Sequence, residues 1–238
     1  MQSVLNLAFP PRCTGCGAMV AEDFALCGAC WRETPFIEGL VCDACGVPLP
    51  GEEGGAPEYC DDCLSIARPW DRGRAALVYR DRGRKMVLAL KHGDRTEVAR
   101  PAARWLMRAG LPLLTPETLL VPVPLHWRRL LRRRYNQAAE LAKALAKTGG
   151  QEWVPDALVR TERTPVLDGL GREARFAALG RAIRPHPRQG IRLKDRTVLL
   201  VDDVMTSGAT LAAAAEAVRG AGAARVDVLV LARVAKEG

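Results

Sequence analysis

With 238 residues, 48% of them hydrophobic and 26% charged, the chain is long enough for one full globular domain and a small appendage. Its net charge of +8 is unevenly spread, because residues 1–63 hold 2 Lys/Arg against 10 Asp/Glu while residues 64–238 hold 33 against 17. No apolar run approaches the roughly 18 to 20 residues of a membrane-spanning helix, and no basic residue precedes the first apolar patch, so neither membrane insertion nor a secretory leader is expected and a cytoplasmic protein is.

The balances of −8 and +16 fit two modules with different partners, the larger one facing phosphates or nucleic acid; they also fit a plain compositional bias toward Arg. All eight cysteines lie in the acidic part, as the pairs Cys13/Cys16, Cys27/Cys30, Cys42/Cys45 and Cys60/Cys63. A two-residue spacer strains a disulfide, whereas four thiolates suit tetrahedral zinc. Two structural zinc ions are therefore expected, with disulfides as the alternative. Gly17 and Gly46 follow their pairs as turning knuckles, while Cys30-Trp31 and Cys63-Leu64 can open helices. This favours sequential sites, 13/16/27/30 and 42/45/60/63, over a crossed arrangement of first pair with third. So few large apolar residues occur here that metal should supply much of the module's stability, leaving each module its own source.

From about Arg74 the pattern becomes strand and helix in alternation. Strands are expected at 74–79, 118–124, 197–201 and 225–231, and helices at 83–91, 99–109, 137–147 and 209–219. Asn136 is the expected cap of the third helix, with Ala138, Leu141, Ala142 and Leu145 as its apolar stripe. Such alternation implies a mostly parallel sheet with helices on both faces and ligands at the carboxyl ends of its strands. The five tryptophans read as core or interface residues unless they stand beside the basic face.

Val198-Leu-Leu-Val-Asp-Asp-Val-Met-Thr-Ser-Gly-Ala-Thr210 carries the clearest chemistry. An apolar strand delivers two carboxylates, a short polar loop and a helix start, whose unpaired N–H groups suit a phosphate. Thr206, Ser207 and Thr210 add hydroxyls, and Gly208 permits close backbone approach. Asp202 and Asp203 can accept bonds from vicinal sugar hydroxyls. This loop resembles that of the type I phosphoribosyltransferases, which implies that Asp202 and Asp203 hold the ribose of phosphoribosyl pyrophosphate (PRPP) and form the catalytic pair. The same resemblance implies that Met205, Thr206, Ser207, Gly208, Ala209 and Thr210 wrap the 5′-phosphate, with Val204 also among the PRPP-binding residues.

With Phe9-Pro-Pro-Arg-Cys13, the cysteine pairs, Leu90-Lys-His-Gly93 and Val121-Pro-Val-Pro124, nearly the whole chain resembles the ComF family of competence proteins. That resemblance implies a zinc module at 1–66 and a phosphoribosyltransferase-like domain at 67–238. It also implies a role in natural transformation and DNA uptake beside other competence proteins. The turn after the Val-Pro strand then receives pyrophosphate, with His126, Arg128 and Arg129 as its contacts and Mg²⁺ accompanying PRPP. Arg132 to Arg134 read equally as part of a phosphate-tracking face or as a solvated helix face. Arg163, Arg172 and Arg175 fall where type I enzymes carry a mobile loop. The chain departs from the family at Leu167 and Ala178, where Gln and Asn are common. Two readings stay open: a pentosyl-transferring enzyme, or a non-catalytic protein holding PRPP, a related sugar phosphate or single-stranded DNA.

Overall fold

A computed structural model describes residues 10–92, 95–161 and 182–235. The cysteine-rich part contributes two short helices, α1 (Gly28–Arg32) and α2 (Asp61–Ser65). Four strands then build a parallel sheet: β1 (Gly73–Val78), β2 (Leu119–Pro122), β5 (Thr197–Met205) and β6 (Arg225–Arg233), in the order β1-β6-β5-β2. Between them run α3 (Asp81–His92), α4 (Ala99–Gly110), α5 (Trp127–Arg133), α6 (Gln137–Gly149) and α7 (Ala209–Gly220). Strands β3 (Leu158–Arg160) and β4 (Ile183–Pro185) form a separate antiparallel pair.

The apolar run 198–201 is buried on both faces, as a central parallel strand must be. Val198 and Leu200 pack with Leu211, Ala214, Leu158 and Ile183 on the α7 side. Leu199 and Val201 pack with Leu90, Leu106, Leu141 and Leu145 from α3, α4 and α6. Helix α6 follows its pattern closely: Asn136 accepts from the Ala138 N–H at 3.1 Å, and Gly150 closes the far end in the left-handed conformation. Asn136 Nδ2 also donates to the Val123 carbonyl at 3.0 Å, fixing the helix start beside the end of β2.

Two expectations change. β5 runs on to Met205 because its partner β6 is equally long: Asp202 pairs with Val230 and Met205 with Arg233. The acid pair therefore sits within the strand rather than after it. The second cysteine group is also not packed apart from the larger domain. Cys42 and Cys45 are fully buried and belong to the same core as Val198, Leu200 and α7. Asp43 is ion-paired to Arg72 and Arg74 at 3.0 and 2.6 Å, and Phe36 bridges to Leu77.

Candidate functional site

The site forms where β2 and β5 part company. The last β2 partner is Pro122, against Val201, and Val123 N–H still reaches the Val201 carbonyl at 2.9 Å. Beyond it the chain turns away into α5, while β5 continues, so Asp202 and Asp203 lose cover on that edge. A cleft of about 620 Å³ opens there, lined by Asp202, Asp203, Thr206, Thr210 and a wall of cations. Those cations are Lys91, Arg129, Arg132, Arg133 and Arg160. Neighbouring strand residues alternate in direction, yet both acids reach this cleft because it wraps the free edge of the strand.

The two carboxylates differ. Asp203 is 8% exposed and pairs with Lys91 Nζ at 3.1 Å. Asp202 keeps an edge open to the cleft, accepts the Asp203 N–H at 2.8 Å, and has no ion pair within range among the described residues. Burial, then the neighbouring Asp203 charge, pushes its carboxyl up to about 7, against the pull of the Asp203 N–H, Lys91 and Arg160. On the opposite wall burial depresses the Arg133 and Arg160 guanidinium groups, and the charge of Arg129 pushes the same way. Crowded, partly desolvated cations of this kind gain from an anionic ligand.

Beyond the acids, Met205 ends β5, Thr206 is exposed, and Gly208 has φ +82°, where a side chain would be strained. Gly208 caps α7 without a side-chain bond, so the first-turn N–H groups of this 12-residue helix remain largely available. Val204 lines the cleft with Thr206 and Thr210, and Ser207 Oγ accepts the Ala209 N–H at 3.4 Å.

The turn after β2 is arranged differently from the expectation. His126 is buried as the N-cap of α5, its Nδ1 accepting the Arg128 N–H at 3.3 Å. Arg128 lies over the Trp127 ring, 5.0 Å from its centroid, outside the cleft lining. Arg129 does line it. Arg132 and Arg133 line the cleft, Arg132 exposed and Arg133 half-buried, and Arg134 is the left-handed C-cap of α5. Arg163, Arg172 and Arg175, with Leu167 and Ala178, lie outside the described residues. Reading along the sequence misses Lys91, Arg160 and Gln137 as site residues. Lys91 lies 112 positions from Asp203, and its place in Leu90-Lys-His-Gly93 is the one signal that could have found it.

The cysteines form two tetrads, 13/16/27/30 and 42/45/60/63, with ligand atoms in each within 4.8 Å of one another. This is the sequential pairing. All eight are free thiols. Gly17 and Gly46 turn the knuckles with φ of +78° and +68°, and the Gly15 and Cys27 N–H groups donate to Cys13 Sγ at 3.4 and 3.2 Å. Burial pushes that thiol up, but the backbone donors of Cys27, Cys16 and Gly15 outweigh it and bring it to about 6. Four convergent sulfurs with N–H···S support are the donor set of a structural zinc site.

Fold and site together define a phosphoribosyltransferase-type domain carrying two zinc-ribbon sites. The family described as double zinc ribbon domain matches residues 4–64, and that described as phosphoribosyl transferase domain matches residues 129–237. The chain is 32% identical over 235 residues to DNA utilization protein YhgH of Escherichia coli K12, covering 95% of this chain and 99% of the relative. It is 26% identical over 235 residues to competence protein F of Haemophilus influenzae, covering 96% and 93%. The chain belongs to the ComF family. Among solved structures, glutamine PRPP amidotransferase from B. subtilis aligns at 13% identity and a TM-score of 0.41 over 60% of this chain. This chain spans 30% of that structure. Among the described residues no helix is long and apolar enough to cross a membrane.

Proposed function

We propose that this cleft binds PRPP, with the ribose hydroxyls on Asp202 and Asp203 and the 5′-phosphate in the Thr206–Thr210 loop at the α7 N-terminus. The pyrophosphate lies toward Lys91, Arg129, Arg132 and Arg133. The observation that carries this reading is the union, in one cleft, of the acid pair, the phosphate loop and a wall of cations. Sugar hydroxyls donate and need acceptors, while pyrophosphate oxygens accept and need donors. Mg²⁺ fits beside the two carboxylates and the ligand's phosphates, where it would offset charge on the pyrophosphate. If transfer occurs, these cations hold the departing pyrophosphate, and no side chain need act as a covalent nucleophile. Zinc ions in the two tetrads complete the protein, which we read as a cytoplasmic factor for DNA uptake alongside other competence proteins. The names of its relatives support that role.

A second reading, direct binding of single-stranded DNA without catalysis, has one specific support. Trp127 and Leu131 are 54% and 72% exposed on α5, beside the exposed Arg128, whose guanidinium lies over the Trp127 ring. An exposed aromatic ring among arginines suits a stacked base and its phosphate.

Calorimetric titration of PRPP with Mg²⁺ into the parent protein and into Asp202→Asn/Asp203→Asn tests the main reading. Each carboxylate bond contributes about 1.5–3 kcal/mol, so the pair should change affinity about a hundredfold or more without unfolding the domain. Equal affinities in the two proteins refute it.

A further inference from the structure

The second cysteine tetrad lies directly behind the phosphate loop. Two arginines join them. Arg68 Nε donates to Cys63 Sγ at 3.4 Å, and its Nη1 donates to the Ser207 carbonyl at 2.9 Å. Arg233 Nη2 lies 3.8 Å from Cys45 Sγ, while Nη1 donates to the Met205 and Thr206 carbonyls at 3.2 and 2.7 Å. The two side chains come from opposite ends of the domain, Arg68 from the segment before β1 and Arg233 from the end of β6. Each reaches a different cysteine of the same tetrad and a different part of the same loop.

We propose that Arg68 and Arg233 are positioning residues that hold the Met205–Gly208 loop in register with the second four-cysteine site. A guanidinium suits this task because its planar fork offers several donors at fixed angles, whereas a lysine ammonium is a single point. A thiolate ligand of a bound metal keeps negative charge and so strengthens the bond from a neighbouring guanidinium. Carbonyls held from behind leave the loop's N–H groups turned toward the cleft. The loop also has little room to shift: a Cβ on Gly208 would lie 3.1 Å from both Arg68 Nη1 and the Trp70 ring. Trp70 is itself pinned, donating its indole N–H to the Ala44 carbonyl at 2.6 Å between two cysteines of the tetrad. Arg233 is 4% exposed, so water cannot readily replace its bonds.

The consequence is a linkage between the metal site and the ligand loop. Whatever orders the tetrad orders the loop, and a ligand in the loop must in turn retain the metal, since coupling free energy is reciprocal. The ligand half of this statement rests on the PRPP reading; the positioning half does not.

The test uses the full zinc-loaded chain and the variants Arg68→Met, Arg68→Lys and Arg233→Lys. Amide hydrogen exchange at Thr206–Ala209 is read first, with no ligand present. The loop amides of Arg68→Met should exchange at least about tenfold faster than the parent's, at a nearly unchanged melting temperature, as expected for losing one charged bond worth about a factor of ten. Arg68→Lys should fail to restore slow exchange, since it cannot reach both partners. Saturating PRPP should slow the loss of one of the two zinc ions to a colorimetric chelator in the parent, and less so in Arg68→Met. Unchanged loop exchange in both Arg68→Met and Arg233→Lys would overturn the positioning role. A parent that binds no PRPP sinks the ligand reading alone, because the exchange measurement still decides the roles of the two arginines.

Discussion

Asp202 and Asp203 are neighbours in sequence but have different surroundings, and this difference sets how the site responds to pH. Asp203 is ion-paired to Lys91. Asp202 holds its proton up to about pH 7 because burial and the adjacent charge disfavour ionisation. The folded state therefore binds this proton more tightly than the unfolded chain does. Its contribution to the stability of the ligand-free protein falls as pH rises from the ordinary carboxylate range to about 7, and is flat above that. Ribose hydroxyls donate hydrogen bonds, and the ionised carboxylate is the stronger, acceptor-only partner, so ligand binding favours the ionised form. PRPP affinity should rise with pH through neutrality and then level off. The Asp202→Asn protein should retain only the shallower dependence due to the ligand's own phosphates. A calorimetric series across neutrality in which the two proteins show the same profile would contradict this assignment. The acid pair is legible in the sequence because the residues are adjacent. Their inequality is not, because it depends on the burial of Asp202 in the folded chain and on Lys91, which reaches Asp203 from α3.

The elements themselves are largely readable, within a few residues. Helix α6 carries its cap, its stripe and its closing glycines in one continuous stretch. The end of β5 is hidden in the sequence because Asp202 and Asp203 interrupt the apolar pattern, while pairing with β6 keeps the backbone extended through both. The cysteines show a related limit. Spacing identifies them as ligands but does not reveal that Cys42 and Cys45 also form part of the main core. Cys42→Ser/Cys45→Ser should thus destabilise the transferase domain as well as the ribbon, by several kcal/mol, since it removes a metal site and puts hydroxyls into packed apolar space. Cys13→Ser/Cys16→Ser, in the tetrad outside that core, should lower stability less. Denaturant unfolding followed by Trp fluorescence compares them, and equal losses would mean that the second ribbon is not an integral part of the fold.

On the scale of the whole molecule, the +16 balance of residues 64–238 resolves in part into a local structure: Lys91 and four arginines converge on one cleft. Changing Arg132 and Arg133 would therefore disturb the sugar-phosphate site as well as any DNA surface. Arg128 and Arg134 are exposed and outside the cleft lining, so they are the better probes of DNA binding. If single-stranded DNA is bound, Arg128→Ala/Arg134→Ala should flatten the log–log salt dependence by about 0.7 for each phosphate no longer neutralised, for all base sequences alike. PRPP affinity should be unaffected. No detectable single-strand binding by the parent at low salt would end the direct-DNA reading. A crystal structure of the zinc-loaded chain with PRPP and Mg²⁺ would decide whether the cleft is the PRPP site. Ribose density is expected against Asp202 and Asp203, the 5′-phosphate on the Thr206–Thr210 N–H groups, and pyrophosphate facing Lys91 and Arg133. PRPP density at any other place on the protein, with this cleft empty, would contradict it.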